Sequence, residues 1–216
     1  GRHGLWQRPL ERRRLAQAPL LVPQDPGALH EAGDPRTPSV VVRIPVEPSG
    51  PPEPKDLAAV TYATNPYKKG LDRILVAWRD VDAELVVAGV DGRDTDGVRY
   101  AGRLEPAAFR ALLRRAKVYV TAPRREDYGL AQLEALADGC RVVTTGAPGP
   151  YAALPLLREL GHVTDDAGLA GAVRAALADA DPGYAARALD ALAPFRREAV
   201  DRIVAGDLLP ALLRGA

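Results

Sequence analysis

Two glutamates, Glu126 and Glu134, lie eight residues apart around a Tyr-Gly dipeptide. The apolar residues from Val118 to Thr121 predict a strand before them, and the leucine and alanine spacing up to Ala137 predicts a helix after them. Glu126 then lies in a loop and Glu134 in the second helical turn. Parallel sheets bind ligands at the carboxyl ends of their strands, where helix N-termini attract phosphate. Carboxylates beside that phosphate accept hydrogen bonds from hydroxyl groups, so the spacing predicts a nucleotide-sugar site.

Two lysines, Lys68 and Lys69, follow the first predicted strand of this region and open the next helix. Their charges add to the partial positive charge of a helix N-terminus, and a diphosphate is the ligand that fits this arrangement. Solvated loop lysines are the alternative, and each glutamate taken alone also has a structural interpretation. The combination of the lysines, both glutamates and Gly129 favours a ligand site.

Strands and helices alternate along most of the chain, as needed to position these groups. We predict strands over 58–63, 84–90, 98–100, 117–121, 141–145 and 161–163. We predict helices over 70–80, 106–115, 129–137 and 169–180, and one or two more over 184–213, broken near Pro194 and Pro210. Apolar strands alternating with helices predict an α/β fold with a doubly wound, Rossmann-like parallel sheet.

A proline-rich segment, 47–55, contains four prolines and predicts a semi-rigid linker. Residues 1–46 predict helices over 5–17 and 26–32 and strands over 19–22 and 39–46, which is too little chain to bury a core. We interpret them as the remnant of a preceding α/β domain. Residues 56–193 form the predicted ligand-binding domain and residues 194–216 a helical tail. Methionine is absent, also at position 1, so we expect an excised or processed piece of a longer protein.

Composition excludes several classes of function. The formal net charge of +1 gives no general attraction to nucleic acid, and no apolar run reaches transmembrane length. A single cysteine, Cys140, excludes an intrachain disulfide framework and favours a reducing, cytoplasmic location. Abundant alanine, arginine and proline are typical of a GC-rich bacterial source. The sequence has neither a Walker A motif nor a G-x-S-x-G nucleophile motif, which disfavours NTPases and serine hydrolases.

A basic N-terminal stretch and a histidine have ordinary structural interpretations. The arginines between Arg2 and Arg14 favour a solvated helix face, with contact to anionic lipid or a phosphorylated acceptor as the alternative. His162 has no second histidine or cysteine cluster near it in the sequence, so we interpret it as structural and predict no metal site.

These motifs together resemble a known family. The spacing from Glu126 to Glu134 resembles the E-x7-E motif of retaining GT-B glycosyltransferases, and Lys68-Lys69-Gly-Leu-Asp resembles the K-G segment of the same family. Residues 98–104 resemble its base-binding loop, and 141–150 its following strand and loop. The matches occur in the family's order over about residues 58–180. The chain therefore resembles the C-terminal, donor-binding domain of a family 4 glycosyltransferase.

The resemblance implies a role for each matching residue. Lys69, with Lys68 beside it, would contact the donor diphosphate, and Glu126 would bind hydroxyl groups of the transferred sugar; Lys69 and Glu126 are the implied catalytic residues. Further donor contacts would come from the ribose-binding carboxylate, from backbone that faces the sugar or phosphate, and from the base-binding loop. These residues are Glu134, Gly129, Leu130, Gly102, Arg103 and Leu104.

The resemblance also implies a nucleoside diphosphate sugar as donor, no metal or other cofactor, and an acceptor site in the preceding domain. The acceptor is an unidentified carbohydrate, lipid or small molecule, and the chain alone is expected to bind donor but to transfer poorly. One departure is Ala63, which stands where the family has an arginine. Either Lys68, Arg124 or Arg125 supplies the missing charge, or phosphate binding is weaker. The alternatives are a non-catalytic nucleotide-sugar-binding module, another GT-B enzyme such as a sugar-nucleotide epimerase, and a purely structural α/β domain.

Overall fold

The computed structural model describes residues 3–160 and 162–215. The chain forms two compact units, one made of residues 1–45 with 194–216 and the other of residues 46–193. In chain order the helices are α1 (His3–Gln17), α2 (Pro26–Glu31), α3 (Pro66–Lys69), α4 (Leu71–Trp78), α5 (Pro106–Arg115), α6 (Leu130–Ala137), α7 (Leu154–Glu159), α8 (Leu169–Ala178), α9 (Tyr184–Ala191), α10 (Arg197–Ile203) and α11 (Leu209–Gly215). A 3₁₀ turn covers Ala193–Phe195, and a π-helical segment covers Val204–Leu208.

The unit made of residues 46–193 contains a six-stranded sheet whose neighbouring strands all pair in parallel. Its strands are β1 (Leu57–Tyr62), β2 (Leu85–Ala88), β3 (Val98–Gly102), β4 (Ala116–Thr121), β5 (Arg141–Thr145) and β6 (Val163–Thr164). Their order is β3-β2-β1-β4-β5-β6, which is the Rossmann-type order of a doubly wound sheet. The predicted fold class is therefore confirmed. The last strand was predicted over 161–163, and Gly161 lies outside the described residues.

Helices cover both faces of this sheet because successive side chains of a strand point to opposite sides. Val118 and Val120 of β4 pack in one core cluster with Leu71 and Ile74 of α4. The residue between those valines, Tyr119, instead contacts Phe109 of α5, with the ring centroids 6.5 Å apart. Burial on both sides explains why the central strands read as continuous apolar runs in the sequence.

The unit made of residues 1–45 and 194–216 contains helices but no described strand ladder. The strands predicted over 19–22 and 39–46 are wrong, because the two segments form one isolated parallel bridge between Leu21 and Ser39. Prolines interrupt both segments and lack the N–H group that a longer ladder requires. Near Pro210 the helical backbone widens into the π-helical segment before α11 begins.

The proline-rich segment 47–55 belongs to the sheet-containing unit and is fixed to its helices. Ser49 donates to the Asp138 carboxylate through its backbone N and its Oγ, at 2.8 and 3.0 Å. Lys55 donates to the carbonyl oxygens of Leu113 and Asp138, and Glu53 pairs with Arg114. These contacts hold the segment against the ends of α5 and α6, so it is not a free spacer.

Cys140 lies between α6 and β5 and has no exposed surface. Its Sγ donates to the carbonyl oxygens of Leu113 and Ala116, at 2.9 and 3.4 Å, and burial raises the pKa of the thiol to about 12. Because the thiolate is the reactive form, we expect no labelling by iodoacetamide at pH 8 in the native protein. Labelling should begin only in denaturant, as mass spectrometry can follow. Rapid labelling of the native protein would contradict this burial.

Candidate functional site

The two central strands, β1 and β4, define the point where the strand order of the sheet reverses. Ligands of doubly wound sheets bind in the crevice at the carboxyl ends of the strands at such a point. Lys69 follows β1 and Glu126 follows β4, and these side chains meet there with Nζ and Oε2 2.7 Å apart. The Lys69 side chain is 21% exposed and that of Glu126 is 8% exposed. The sheet topology thus brings together residues that are 57 positions apart in sequence.

Close backbone contacts join the loop after β1 to the loop after β4. The Arg124 N–H donates to the Lys68 carbonyl oxygen at 2.9 Å, and Lys68 Nζ pairs with Asp127 at 3.0 Å. Gly70, with a φ of 68°, lies against the carbonyl oxygen of Ala122, where a Cβ atom would be 1.8 Å away. The two loops are therefore packed backbone to backbone, which fixes Lys69 beside Glu126.

A third loop, residues 146–153, holds the Glu126 segment from its other side. The Glu126 N–H donates to the Pro148 carbonyl oxygen at 3.1 Å, and the N–H groups of Tyr151 and Ala153 donate to Asp127 and Tyr128. The segment from 126 to 128 therefore has partners on both sides. These contacts fix the backbone from which the buried Glu126 carboxylate extends.

Lys69 and both glutamates line one cavity of about 390 Å³. Part of its wall is apolar, since the rings of Tyr62 and Phe109 lie 4.7 Å apart and Leu104 lies beside them. The other lining residues come from α5, the β4–α6 loop and α6: Pro106, Arg110, Asp127, Tyr128, Gly129, Leu130 and Ala131. An apolar wall with a few converging polar groups is typical of small-molecule sites.

The structure brings most of the predicted site residues together. Six of the nine line the cavity: Lys69, Leu104, Glu126, Gly129, Leu130 and Glu134. Lys68, Gly102 and Arg103 are not among the described residues that line it. Lys68 instead pairs with Asp127, and Arg103 is exposed after β3. The ligand contacts of all nine remain predictions.

The N-terminus of α6 opens onto this cavity. Its N-cap residue is Gly129, with a φ of 87°, and no described side chain caps the first N–H groups. A Cβ atom at this position would lie 2.7 Å from Ala153 Cβ and 2.9 Å from the Tyr151 ring, so a side chain does not fit. The uncapped amides of Leu130 and Ala131 and the helix dipole favour an anion here.

Arg110 is a cavity residue that the sequence analysis missed. Its Nη1 lies 3.4 Å from Glu134 Oε1, and its Nε donates to Asp138 Oδ2 at 2.6 Å. Burial raises the pKa of Glu134, and the Arg110 charge opposes that increase. One sequence signal could have found it. Glu134 and Asp138 are four residues apart, which places them on one side of the end of a helix, and two carboxylates on the side that faces the core require a cation.

The position of the missing family arginine is occupied by buried Ala63, directly after β1. Arg124 pairs with Asp72 through two hydrogen bonds of 2.6 and 2.8 Å and stacks over the Tyr67 ring at 4.2 Å. Arg125 donates to Asp127. The predicted substitutes therefore have protein partners of their own, and none of them is among the described residues that line the cavity. The guanidinium that does line it belongs to Arg110.

The residues that the structure describes lack two kinds of feature. They contain no helix that is long and apolar enough to cross a membrane. They also contain no group of three or more histidine, cysteine, aspartate or glutamate side chains that could hold a metal ion.

Solved structures similar to this chain include glycosyltransferases of the GT-B class. Sucrose-phosphate synthase from Thermosynechococcus elongatus has a TM-score of 0.76 and 19% identity, over 97% of this chain and 62% of its own. Trehalose 6-phosphate synthase from Burkholderia multivorans has a TM-score of 0.69 and 13% identity, over 95% of this chain and 62% of its own. The pneumococcal O-GlcNAc transferase GtfA, in complex with UDP and GlcNAc, has a TM-score of 0.68 and 13% identity, over 94% of this chain and 47% of its own. At such identities the likeness shows the fold alone.

The family itself is shown by sequence. Residues 55–179 match the family model of the glycosyl transferases group 1, and the chain belongs to this family. The predicted membership among GT-B glycosyltransferases is thereby confirmed. No curated protein sequence matches the chain. The chain spans about half to two thirds of the length of the three solved structures named above.

Proposed function

We propose that this chain is the donor-binding half of a retaining glycosyltransferase that moves a sugar from a nucleoside diphosphate sugar to an acceptor hydroxyl. The observation that carries the proposal is that Lys69, Glu126 and Glu134 line the same cavity, beside the uncapped N-terminus of α6. Family membership supports glycosyl transfer in general. The pneumococcal relative in complex with UDP and GlcNAc supports the class of donor.

The cavity offers a position for each part of such a donor. The diphosphate would lie between Lys69 and the first amides of α6, where a full charge and a helix dipole act together. Glu134 would accept hydrogen bonds from ribose hydroxyls, and Glu126 from hydroxyls of the transferred sugar. The apolar wall formed by Tyr62 and Phe109 would contact the less polar faces of the nucleoside.

The proposed chemistry needs stabilisation of a leaving group. The anomeric C–O bond breaks with its electron pair passing to the diphosphate oxygen, while the acceptor oxygen bonds to the anomeric carbon and its proton passes to the released phosphate. Negative charge grows on the diphosphate as the bond breaks, and Lys69 with the α6 N-terminus would stabilise it. The phosphate would in turn stabilise the positive character of the sugar. Neither Glu126 nor Glu134 is assigned as a nucleophile, and no metal is required.

Replacing Glu134 by glutamine is expected to weaken nucleoside diphosphate binding by about 1–3 kcal/mol, because charged hydrogen bonds to the ribose are lost. Calorimetric titration with UDP, GDP and ADP measures this and also identifies the base. Glu84→Gln is a matched control, since Glu84 forms an exposed ion pair with Arg99 away from the cavity. Unchanged affinity of the Glu134→Gln variant would remove this carboxylate from the site. Failure of the wild-type chain to bind any of the three nucleotides would overturn the proposed function.

A non-catalytic nucleotide-sugar-binding module is the second candidate. Ala63 favours it, because it leaves the diphosphate position without the family's arginine. Donor hydrolysis and sugar transfer by the intact protein distinguish the two candidates. Turnover supports the enzyme, and the configuration of the product at its anomeric carbon tests retention. Donor binding without turnover supports the module.

A further inference from the structure

We propose that Arg110 is a positioning residue for Glu134, and that Asp138 holds Arg110 in place for this role. Arg110 would thereby control recognition of the nucleoside part of the donor, separately from the diphosphate. The inference rests on the proposed function, because it assigns Glu134 to the ribose. Arg110 belongs to none of the motifs from which the family resemblance was derived.

The hydrogen bonds of the Arg110 guanidinium fix its plane. Nε donates to Asp138 Oδ2 at 2.6 Å, Nη2 donates to the Glu47 carbonyl oxygen at 2.8 Å, and Nη1 faces Glu134 Oε1 at 3.4 Å. A guanidinium presents its donors in one rigid plane, so two short bonds determine where the third donor points. Here that donor points at the carboxylate of Glu134.

Asp138 is well suited to anchor this arrangement. Its side chain has no exposed surface, and its two oxygens also accept hydrogen bonds from the backbone N and the Oγ of Ser49. A buried carboxylate that accepts hydrogen bonds from three such donors is fixed in position. The contact from Arg110 to Glu134 is longer than the one to Asp138, which leaves Glu134 able to accept hydroxyl groups from a ligand.

Arg110 also lowers the pKa of Glu134 against the larger effect of burial. Burial and the nearby Asp138 raise the pKa of Glu134, and Arg110 lowers it. Tyr119 of β4 interacts electrostatically with this carboxylate, and burial raises the pKa of its phenol well above the usual value. Lys69 and Glu126 face Glu134 across the cavity and are already paired with each other. Among the residues that the structure describes, Arg110 is thus the cation that forms an ion pair with Glu134.

Arg114 provides a control that distinguishes a positioning role of Arg110 from a general effect on stability. Arg114 lies one turn further along α5 and holds the same proline-rich segment, through Glu53 at 2.6 Å and Ser49 Oγ at 2.7 Å. It is not among the described residues that line the cavity. Arg114→Gln therefore removes comparable structural contacts without touching Glu134.

The test compares Arg110→Gln with Arg114→Gln in titrations with the nucleoside diphosphate that the wild-type chain binds and with inorganic pyrophosphate. We expect Arg110→Gln to weaken nucleotide binding by about 10- to 100-fold and to leave pyrophosphate binding nearly unchanged, because Lys69 and α6 are intact. Arg114→Gln should change neither affinity. Arg110→Lys covers the case in which the glutamine variant does not fold. It keeps the charge but lacks the planar fork, so it should also lose nucleotide affinity selectively.

The pH profile supplies a second readout. Without Arg110, the pKa of Glu134 rises further, so Glu134 becomes protonated at a higher pH. As the pH is lowered, nucleotide affinity should therefore begin to fall at a higher pH in Arg110→Gln than in the wild type. The double variant Arg110→Gln/Glu134→Gln should not show this shift of the pH profile, because it has no carboxyl group at position 134. If the Arg110 variants keep the wild-type affinity and pH profile, or lose equal affinity for nucleotide and pyrophosphate, the inference alone is overturned. Absence of nucleotide binding by the wild type would instead overturn the proposed function, and this inference with it.

Discussion

Replacing Gly70 by alanine is expected to lower the free energy of unfolding by at least about 3 kcal/mol. Gly70 has a φ of 68°, and a Cβ atom there would lie 1.8 Å from the carbonyl oxygen of Ala122. That oxygen belongs to the backbone directly after β4, which cannot move without disturbing the centre of the sheet. The substitution therefore adds a steric clash to the cost of a left-handed backbone. Urea denaturation followed by circular dichroism measures the loss.

Gly97→Ala is the matched control for this clash. Gly97 has a similar φ of 73°, but the nearest atom to its added Cβ would be the Ala83 carbonyl oxygen at an ordinary 3.7 Å. Its expected loss is about 1–2 kcal/mol, the cost of the left-handed conformation alone. Equal losses in the two variants would mean that the loop after β1 is free to move away from β4. The positioning of Lys69 beside Glu126 would then need another cause.

The central sheet could be predicted from sequence because its strands are buried on both faces. Continuous apolar runs such as 85–88 and 118–120 have no other common interpretation between turn residues. The short segments before residue 46 carry similar residues, but they lack enough paired neighbours, and prolines limit their hydrogen bonding. Helix α7 was missed for a related reason. It has a single apolar turn around Pro155, and its position follows from the backbone of the loop before it.

The candidate site could be predicted only in part. Lys69, Glu126 and Glu134 follow directly from the rule that strand ends and helix starts share one edge of a parallel sheet. Arg110 could not be found this way, because its role depends on how α5 packs beside α6 and on the path of residues 47–55. The base-binding loop shows the same limit. Leu104 reaches the cavity, whereas Arg103 beside it is exposed, and spacing alone cannot distinguish adjacent loop positions.

Replacing Lys69 by methionine is expected to weaken nucleoside diphosphate binding by about 2–4 kcal/mol, which is roughly 30- to 1,000-fold. The variant loses the ammonium group that would contact the diphosphate. It also leaves the carboxylate of Glu126 buried without its counter-charge, 2.7 Å from where Nζ was, facing the same cavity as the anionic ligand. Both effects act against the diphosphate. Wild-type affinity of the methionine variant would contradict the assignment of Lys69.

Glu126→Gln separates these two effects. In the unliganded protein Glu126 competes with the diphosphate for Lys69, so the glutamine variant should bind a free nucleoside diphosphate as well as the wild type or better. It should lose the additional affinity that the sugar of an intact donor provides. The double variant Lys69→Met/Glu126→Gln should recover part of the loss caused by Lys69→Met, because repulsion from the unpaired carboxylate is removed. If Glu126→Gln instead weakens the free nucleotide as much as the donor, Glu126 orders the diphosphate site and the sugar assignment is wrong. Lys69 and Glu126 are joined by one hydrogen bond, yet Lys69→Met should weaken nucleoside diphosphate binding and Glu126→Gln should not. General destabilisation of the protein cannot produce these opposite responses.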